Sequence, residues 1–302
     1  LKPIIIVVAG PTAVGKTALS IKLAKQFNCP IISADSRQFY KEMTIGTAKP
    51  SEKEMDSVPH YFINHISIHN TYNVGQFEKE AIHTIENLFT QNKYIILVGG
   101  SGLYINAILN GVDEFDEIPK EIRDEINNEY ESKGISYLQE ELKKVDETYY
   151  NQVDRFNPQR IIRALEVYKH TGKPYSSFRK KEKKNRPFET INLLINTNRD
   201  VLYQRINQRV DKMMDDGLLR EAENLYSFKH LNALNTVGYK ELFNYFDGKD
   251  TLENAVEQIK QNTRRYAKRQ LTWFNNQGEF ETFEPNDFEK IIAYIDIVSN
   301  YI

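Results

Sequence analysis

At 302 residues, 40% hydrophobic and 27% charged, the chain has the proportions of an ordinary globular protein and the length for one large domain or one domain carrying an insertion. Its single cysteine, Cys29, excludes a disulfide framework and a cysteine-based zinc site, and suits a reducing cytoplasm. A formal net charge of −2 conceals a strong internal asymmetry along the chain.

The N-terminal run "IIIVVA" is too short for a signal-peptide core or a membrane span and reads as a buried first strand. The chain begins at Leu1 rather than Met, so a few native residues are expected to precede it. Thr17 to Phe27 is predicted to be a helix, with Leu19, Leu23, Ala24 and Phe27 on one face. "PIISAD" reads as a second strand ending at Asp35, and residues 74 to 92 as an amphipathic helix with Phe77, Ala81, Ile85, Leu88 and Phe89 at helical spacing. "KYIILVGG" is a third strand. Strand and helix alternate as a parallel sheet with crossover helices requires, so the expected fold class is α/β: a P-loop core with a central parallel sheet flanked by helices, plus a helical insertion domain.

The insertion is marked by charge. Residues 113 to 147 carry thirteen acidic and five basic residues, and residues 155 to 187 carry eleven basic and two acidic ones. A sheet-like run, "TINLLIN", returns at 190 to 196, and the rest, including the basic segment "RRYAKRQ", reads as mostly helical. The core is therefore expected over 1–112 and 190–302, and a helical insertion with a basic second half over 113–189. There are no repeats and no low-complexity tracts.

The spacing Gly10-x4-Gly15-Lys16-Thr17, with a strand before it and a helix after it, matches the phosphate-binding loop. In that geometry the backbone N–H groups and the helix N-terminus face a phosphate, Lys16 adds positive charge and the Thr17 hydroxyl reaches Mg²⁺. Nucleotide hydrolases and kinases with this loop usually place a second carboxylate at the end of a neighbouring strand. "YIILVGG" ends in glycines and offers none. The acid at a strand end is Asp35, which suits either a general base beside the loop or a loop aspartate that caps the next helix or binds Mg²⁺ through water. His60, His65 and His69 lie close together, but no second ligand cluster accompanies them, so packed or solvated histidines are the default. Cys29 reads as a small buried residue.

In "NPQRIIRALEVYKHTGKP", Gln159, Arg160 and Arg163 fall on consecutive turns of one helix, followed by the basic run "FRKKEKKNR". Tyr168, Tyr175 and Phe178 are interleaved among the charges. That mixture suits phosphate contacts and base stacking on single-stranded or looped RNA, although charge runs are more commonly only solvated surface.

Seven stretches, in order along nearly the whole chain, resemble the tRNA dimethylallyltransferases, also called tRNA isopentenyltransferases. They are "GPTAVGKT" (10–17), "DSRQFYKEMTIGTAKP" (35–50), "VGGSGLY" (98–104), "NPQRIIRALEVY" (157–168), "RINQRVDKMMDDGL" (205–218), "VGYKE" (237–241) and "RRYAKRQLTWF" (264–274). The loop alone is generic; the Asp-Ser-x-Gln and Ile-Gly-Thr-Ala-Lys-Pro pair is specific.

The resemblance implies transfer of a dimethylallyl group from dimethylallyl diphosphate to N6 of the adenosine 3′ to a tRNA anticodon. It implies Asp35 as the base that takes the amine proton, Thr12 near the bridging oxygen, and Arg209 as a further catalytic cation. The diphosphate would lie on Gly10, Pro11, Thr12, Ala13, Val14, Gly15, Lys16 and Thr17 together with Arg209, with Mg²⁺ at Thr17. The tRNA anticodon stem-loop would meet Asp35, Ser36, Arg37, Gln38, Ser101, Arg123, Gln159, Arg160, Ile161, Ile162 and Arg163. Ser101 stands where threonine is usual and keeps the hydroxyl, and Arg37 fills the variable position. The zinc finger of the eukaryotic relatives is absent, so the resemblance is to the bacterial type. A cytoplasmic monomer without a membrane segment is expected. The competing readings are an isopentenyltransferase acting on free adenine nucleotides, a P-loop nucleotide kinase, and a non-catalytic RNA-binding protein with a vestigial loop.

Overall fold

The computed structural model describes residues 2–113, 118–179, 183–277 and 279–301. They divide into two compact units, Leu1–Asn110 with Asn185–Ile302, and Gly111–Lys184.

The first unit is built on β1 (Ile4–Ala9), whose six residues are all buried. Ile4, Ile6 and Val8 enter one core and Ile5, Val7 and Ala9 another, because successive side chains of a strand point to opposite faces. A strand covered on both faces must be apolar throughout, and "IIIVVA" is. The chain continues through α1 (Lys16–Gln26), β2 (Ile31–Ser33), α2 (Glu52–Met55), β3 (His60–Tyr61), α3 (Val74–Phe89), β4 (Tyr94–Gly99) and α4 (Gly102–Asn110). Two early boundaries fall short of expectation. The second strand stops at Ser33 because Asp35 turns the chain by accepting the amides of Arg37 and Gln38. Helix α3 ends at Phe89, where the Thr90 hydroxyl and the Asn92 side chain donate to the carbonyls of Asn87 and Leu88.

The second unit is helical: α5 (Lys120–Val145), broken at Gly134 with φ 78°, then α6 (Glu147–Tyr150) and α7 (Pro158–Thr171). Asn157 caps α7 by accepting the Arg160 amide, Pro158 opens its first turn, and Gly172 ends it at φ 68°. Its apolar face, including Ile161, Ile162 and Leu165, packs with Ile126, Leu138 and Leu142 of α5.

The first unit resumes with β5 (Glu189–Ile195), α8 (Arg199–Asp215), α9 (Leu218–Leu225), α10 (Tyr239–Phe246), α11 (Leu252–Gln277), β6 (Glu281–Phe283) and α12 (Phe288–Tyr301). The six strands form one sheet in the order β3-β2-β4-β1-β5-β6, every pair parallel. Helices α1, α8 and α12 supply the core on one face, and α3, α4 and Phe274 of α11 the core on the other.

The return into the sheet is anchored before the strand begins. Arg186, placed by sequence in the insertion, donates to Glu78 of α3 and to the Ala107 carbonyl, both at 2.7 Å, and Phe188 is buried beside them in the same core. Residues 185–189 therefore pack with the core unit, while 180–182 of the basic run lie outside the described residues. Removing one partner of a buried ion pair leaves the other charge uncompensated. Arg186→Ala is expected to lower the unfolding free energy by about 3–5 kcal/mol in urea denaturation; a change within ±0.5 kcal/mol would show that Glu78 finds other compensation.

Candidate active site

Parallel strands place their carboxyl ends on one side of the sheet, and here β2, β4 and β1 are successive neighbours. The loop after β1 takes a shape few residues tolerate. Gly10 has φ 150°, and a Cβ on it would lie 2.3 Å from the Ile195 carbonyl oxygen of β5. Ala13 is held at φ 65°, and Gly15 at φ 110° starts α1. Pro11, Ala13 and Val14 are buried; their backbone lines the loop, while the polar side chains are Thr12, Lys16 and Thr17. Thr17 is exposed, and its hydroxyl is bonded to none of the described residues.

Lys16 is turned back on the loop, its Nζ donating to the Pro11 carbonyl at 2.7 Å. Its pKa is pushed down to about 7, chiefly by burial and also by the neighbouring Arg209, against the opposing pull of Asp35. Arg209 of α8 reaches the Thr12 hydroxyl at 3.5 Å, and burial lowers its pKa too. The three residues expected to be catalytic, Asp35, Thr12 and Arg209, thus converge with Lys16. Sequence reasoning missed Arg205, one turn earlier, which donates to the Val14 carbonyl at 3.2 Å.

It also missed Gln270 of α11. This buried amide accepts from the Thr12 N–H at 2.9 Å and donates to the Gly100 carbonyl at 2.8 Å, tying the phosphate-type loop to the segment after β4. Ala267, Gln270 and Phe274 form a buried stripe on α11, so a polar residue at helical spacing on an apolar stripe was the available signal. Ser101, next to Gly100, accepts the amides of Tyr104 and Ile105 through its carbonyl and opens α4.

Asp35 uses one carboxylate oxygen as a cap, accepting from the amides of Arg37 at 2.9 Å and Gln38 at 3.3 Å. Both readings of this residue are therefore compatible, since the second oxygen is not engaged by these amides. Gln38 spends its amide on the carbonyls of Thr47 and Ala48, and Arg37 donates to those of Asn232 and Asn235. Ser36, between Asp35 and Arg37, is partly exposed. The following loop is locked twice. Lys49, its pKa pushed down to about 8 by burial, donates to the Tyr40 carbonyl and to Asn64. Glu221 of α9 accepts the amides of Thr44, Ile45 and Gly46 and the Tyr239 hydroxyl.

In the second unit the expected RNA-contact residues separate. Gln159 and Arg160 are exposed in the first turn of α7. Ile161 and Ile162 are 0% and 8% exposed, their side chains packed inside the apolar core. Along α7 the side chains of Gln159 and Arg160 thus face solvent while those of Ile161 and Ile162 face the core. Arg123 is half-exposed and grips the buried Glu166 through two nitrogens at 2.5 and 3.1 Å, and Arg163 approaches the same carboxylate at 3.4 Å. Tyr175 packs edge-on to Tyr149 at 4.8 Å.

No group of three or more metal-ligating side chains occurs among the described residues. His65 lies instead in a cage of Phe39, Phe62 and Tyr72, burial lowering its pKa. His60 bonds the Val58 carbonyl, His69 packs on Phe228, and Cys29 is buried, its thiol pushed up to about 12 by desolvation.

The Gln270 staple has a sharp genetic signature. A Cβ on Gly100 would lie 2.2 Å from the Gln270 amide nitrogen. Gln270→Ala leaves the Thr12 amide and Gly100 carbonyl without that partner, at an expected cost of about 1–3 kcal/mol, and Gly100→Ala costs a similar ~1–3 kcal/mol by overpacking. In the Gln270→Ala background Gly100→Ala should be nearly neutral in thermal unfolding. Full additivity of the two changes would contradict the contact.

The chain matches the model of the "IPP transferase" family over residues 38–277. It is 54% identical over 298 residues to the tRNA dimethylallyltransferase of Flavobacterium johnsoniae, covering 96% of each chain, and 52% identical over 290 residues to that of Christiangramia forsetii. Among solved structures it is similar to the full-length tRNA isopentenylpyrophosphate transferase of Bacillus halodurans, with TM-score 0.72, 37% identity and coverage of 99% and 96% of the two chains. A eukaryotic dimethylallyltransferase acting on tRNA gives TM-score 0.81 at 29% identity, with 99% of this chain and 80% of that one covered. A phosphate-type loop, two desolvated cations and a strand-end aspartate thus stand in the frame these relatives share, and the chain belongs to the IPP transferase family.

Proposed function

We propose that the chain transfers a dimethylallyl group from dimethylallyl diphosphate to N6 of the adenosine 3′ to the anticodon of tRNA. The observation that carries this reading is the meeting of Lys16, Arg209 and Thr12 with Asp35 at neighbouring strand ends, where β4 ends in glycine instead of an acid. A site without that second acid is poorly equipped to work on a nucleotide γ-phosphate. It is well equipped to hold a diphosphate as leaving group.

The bond that forms joins N6 to the allylic carbon, and the bond that breaks joins that carbon to the diphosphate oxygen. The electron pair of the broken bond leaves with the diphosphate, where the loop amides, Lys16 and Arg209 meet the growing charge. Asp35 receives the amine proton through its carboxylate. The target base has to leave its stack to reach that carboxylate, at about a few kcal/mol. Thr17, with its unengaged hydroxyl, fits a Mg²⁺ ion that keeps waters and shares substrate phosphates. Such an ion would supply positive charge to the diphosphate. The protein is taken to act as a cytoplasmic monomer; no helix among the described residues is long and apolar enough to cross a membrane.

Given Mg²⁺ and dimethylallyl diphosphate, the protein is expected to add one C5H8 unit to an unmodified anticodon stem-loop and none to AMP, read by mass. Gain on AMP alone, or turnover of ATP, would sink the proposal. Asp35→Asn keeps an oxygen to cap the Arg37 and Gln38 amides, so it isolates the base: turnover should fall about 10²- to 10⁴-fold with dimethylallyl diphosphate binding retained.

Lys16 adds a pH dependence of known sign. With a pKa of about 7 it is largely neutral at pH 8 in the free loop, and a bound diphosphate anion favours its protonated form. Binding of dimethylallyl diphosphate at pH 8 should therefore take up about one proton, and affinity should weaken as pH rises above the free-loop pKa. Calorimetry in two buffers of different ionisation enthalpy measures the uptake, which Lys16→Arg should abolish.

A further inference from the structure

We propose that Phe156 is a stacking residue for an unpaired base of the tRNA substrate, an inference that rests on the tRNA reading above. Phe156 is 81% exposed, in a protein whose other phenylalanines are at least partly covered among the described residues. It occupies the position before the N-cap Asn157 of α7, where an apolar side chain ordinarily folds over the residue four positions into the helix. That residue is Ile161, which is fully buried in the unit's core while the phenyl ring stands in solvent. The ring therefore has no local packing role, and it has no ring partner among the described residues.

Its backbone, by contrast, is fixed on every side. Asp154 accepts the Phe156 amide at 3.1 Å through its carboxylate and the Asn157 amide at 3.0 Å through its carbonyl. Gln139 of α5 donates to the Arg155 carbonyl at 2.8 Å, and Asn157 itself caps α7. A ring held out by a rigid turn loses little conformational freedom on binding a flat partner.

The surroundings select the partner. Arg155, Gln159 and Arg160 are exposed beside the ring in sequence, and the first turn of α7 carries no acid. Arg155 and Lys143 both lie over the Tyr150 face, at 5.4 and 5.9 Å, so that aromatic surface is already covered. An apolar protein partner would find cations around the ring. A nucleic acid offers a base for the ring and phosphates for the arginines. The one acid in the turn, Asp154, accepts the Phe156 amide through its carboxylate.

The test compares Phe156→Ala, Leu and Trp with wild type in the stem-loop transfer assay, in parallel with stem-loop binding. Alanine should raise KM for the stem-loop between about fivefold and 150-fold, with kcat and the melting temperature close to wild type. Tryptophan should restore KM and leucine should not, since leucine has the bulk without the π-face. The salt dependence of binding should keep its slope in Phe156→Ala, whereas Arg160→Ala should lower it by about one. A KM within twofold of wild type for alanine, or rescue by leucine equal to tryptophan, overturns the proposal. So does a change of sedimentation in Phe156→Ala with unaltered RNA binding, which would make the ring a contact between copies. Absence of transfer by the wild-type protein would instead overturn the tRNA reading itself.

Discussion

Two cations share one loop in this protein, and burial works against the charge of each. Lys16 bonds the Pro11 carbonyl and Arg209 the Thr12 hydroxyl of the same loop, where desolvation opposes both charges and Arg209 repels Lys16. The arrangement is unfavourable until an anion arrives, and it becomes favourable in proportion to the charge that anion carries. Much else in the core unit serves to keep this cluster in place. The loop is drawn against β5 by Gly10, tied to β4 by Gln270, and held from α8 by Arg205 and Arg209.

The other half of the site is irregular chain made rigid by polar side chains. From Asp35 to Lys49 there is no helix or multi-residue strand among the described residues. Each turn is instead closed by a carboxylate, amide or ammonium against backbone groups: Asp35 on two amides, Gln38 on two carbonyls, Glu221 on three amides, Lys49 on a carbonyl. Such networks are stabilising only when complete, because each partner left alone is costly to bury. That explains how a stretch rich in polar residues holds its shape while most of it stays partly exposed.

What was legible in the sequence was whatever repeats at a local period. Strands buried on both faces announced themselves as unbroken apolar runs, and α3 through Phe77, Ala81 and Ile85. The phosphate-type loop was legible because its glycines meet steric demands within eight residues. By contrast, β3 has two residues and β6 three, exposed or nearly so, which is too short for any alternation. Gln270 and Glu221 look like ordinary polar positions on amphipathic helices; their partners lie 258 and about 175 positions away, and no local pattern encodes such a pairing. Arg123 and Arg163 carried the right charge for RNA, but nothing local in the sequence marks Glu166 as the buried carboxylate they hold. Phe156 was hidden for the opposite reason, since an apolar residue before a helix cap is commonplace.

The Gln270 contact bears on the order in which the site comes into being. The three strands that frame it, β1, β2 and β4, are complete by Gly99, so a growing chain has the framework long before it has the finished loop. Thr12 waits for a residue 258 positions later, and Thr44 to Gly46 wait for Glu221. Closing contacts over such distances is among the slower events in folding. A ribosome-bound chain that has not yet extended through α11 would thus hold the sheet's first strands without a shaped anion site. The shaped loop therefore depends on a residue that enters the chain 258 positions after Thr12.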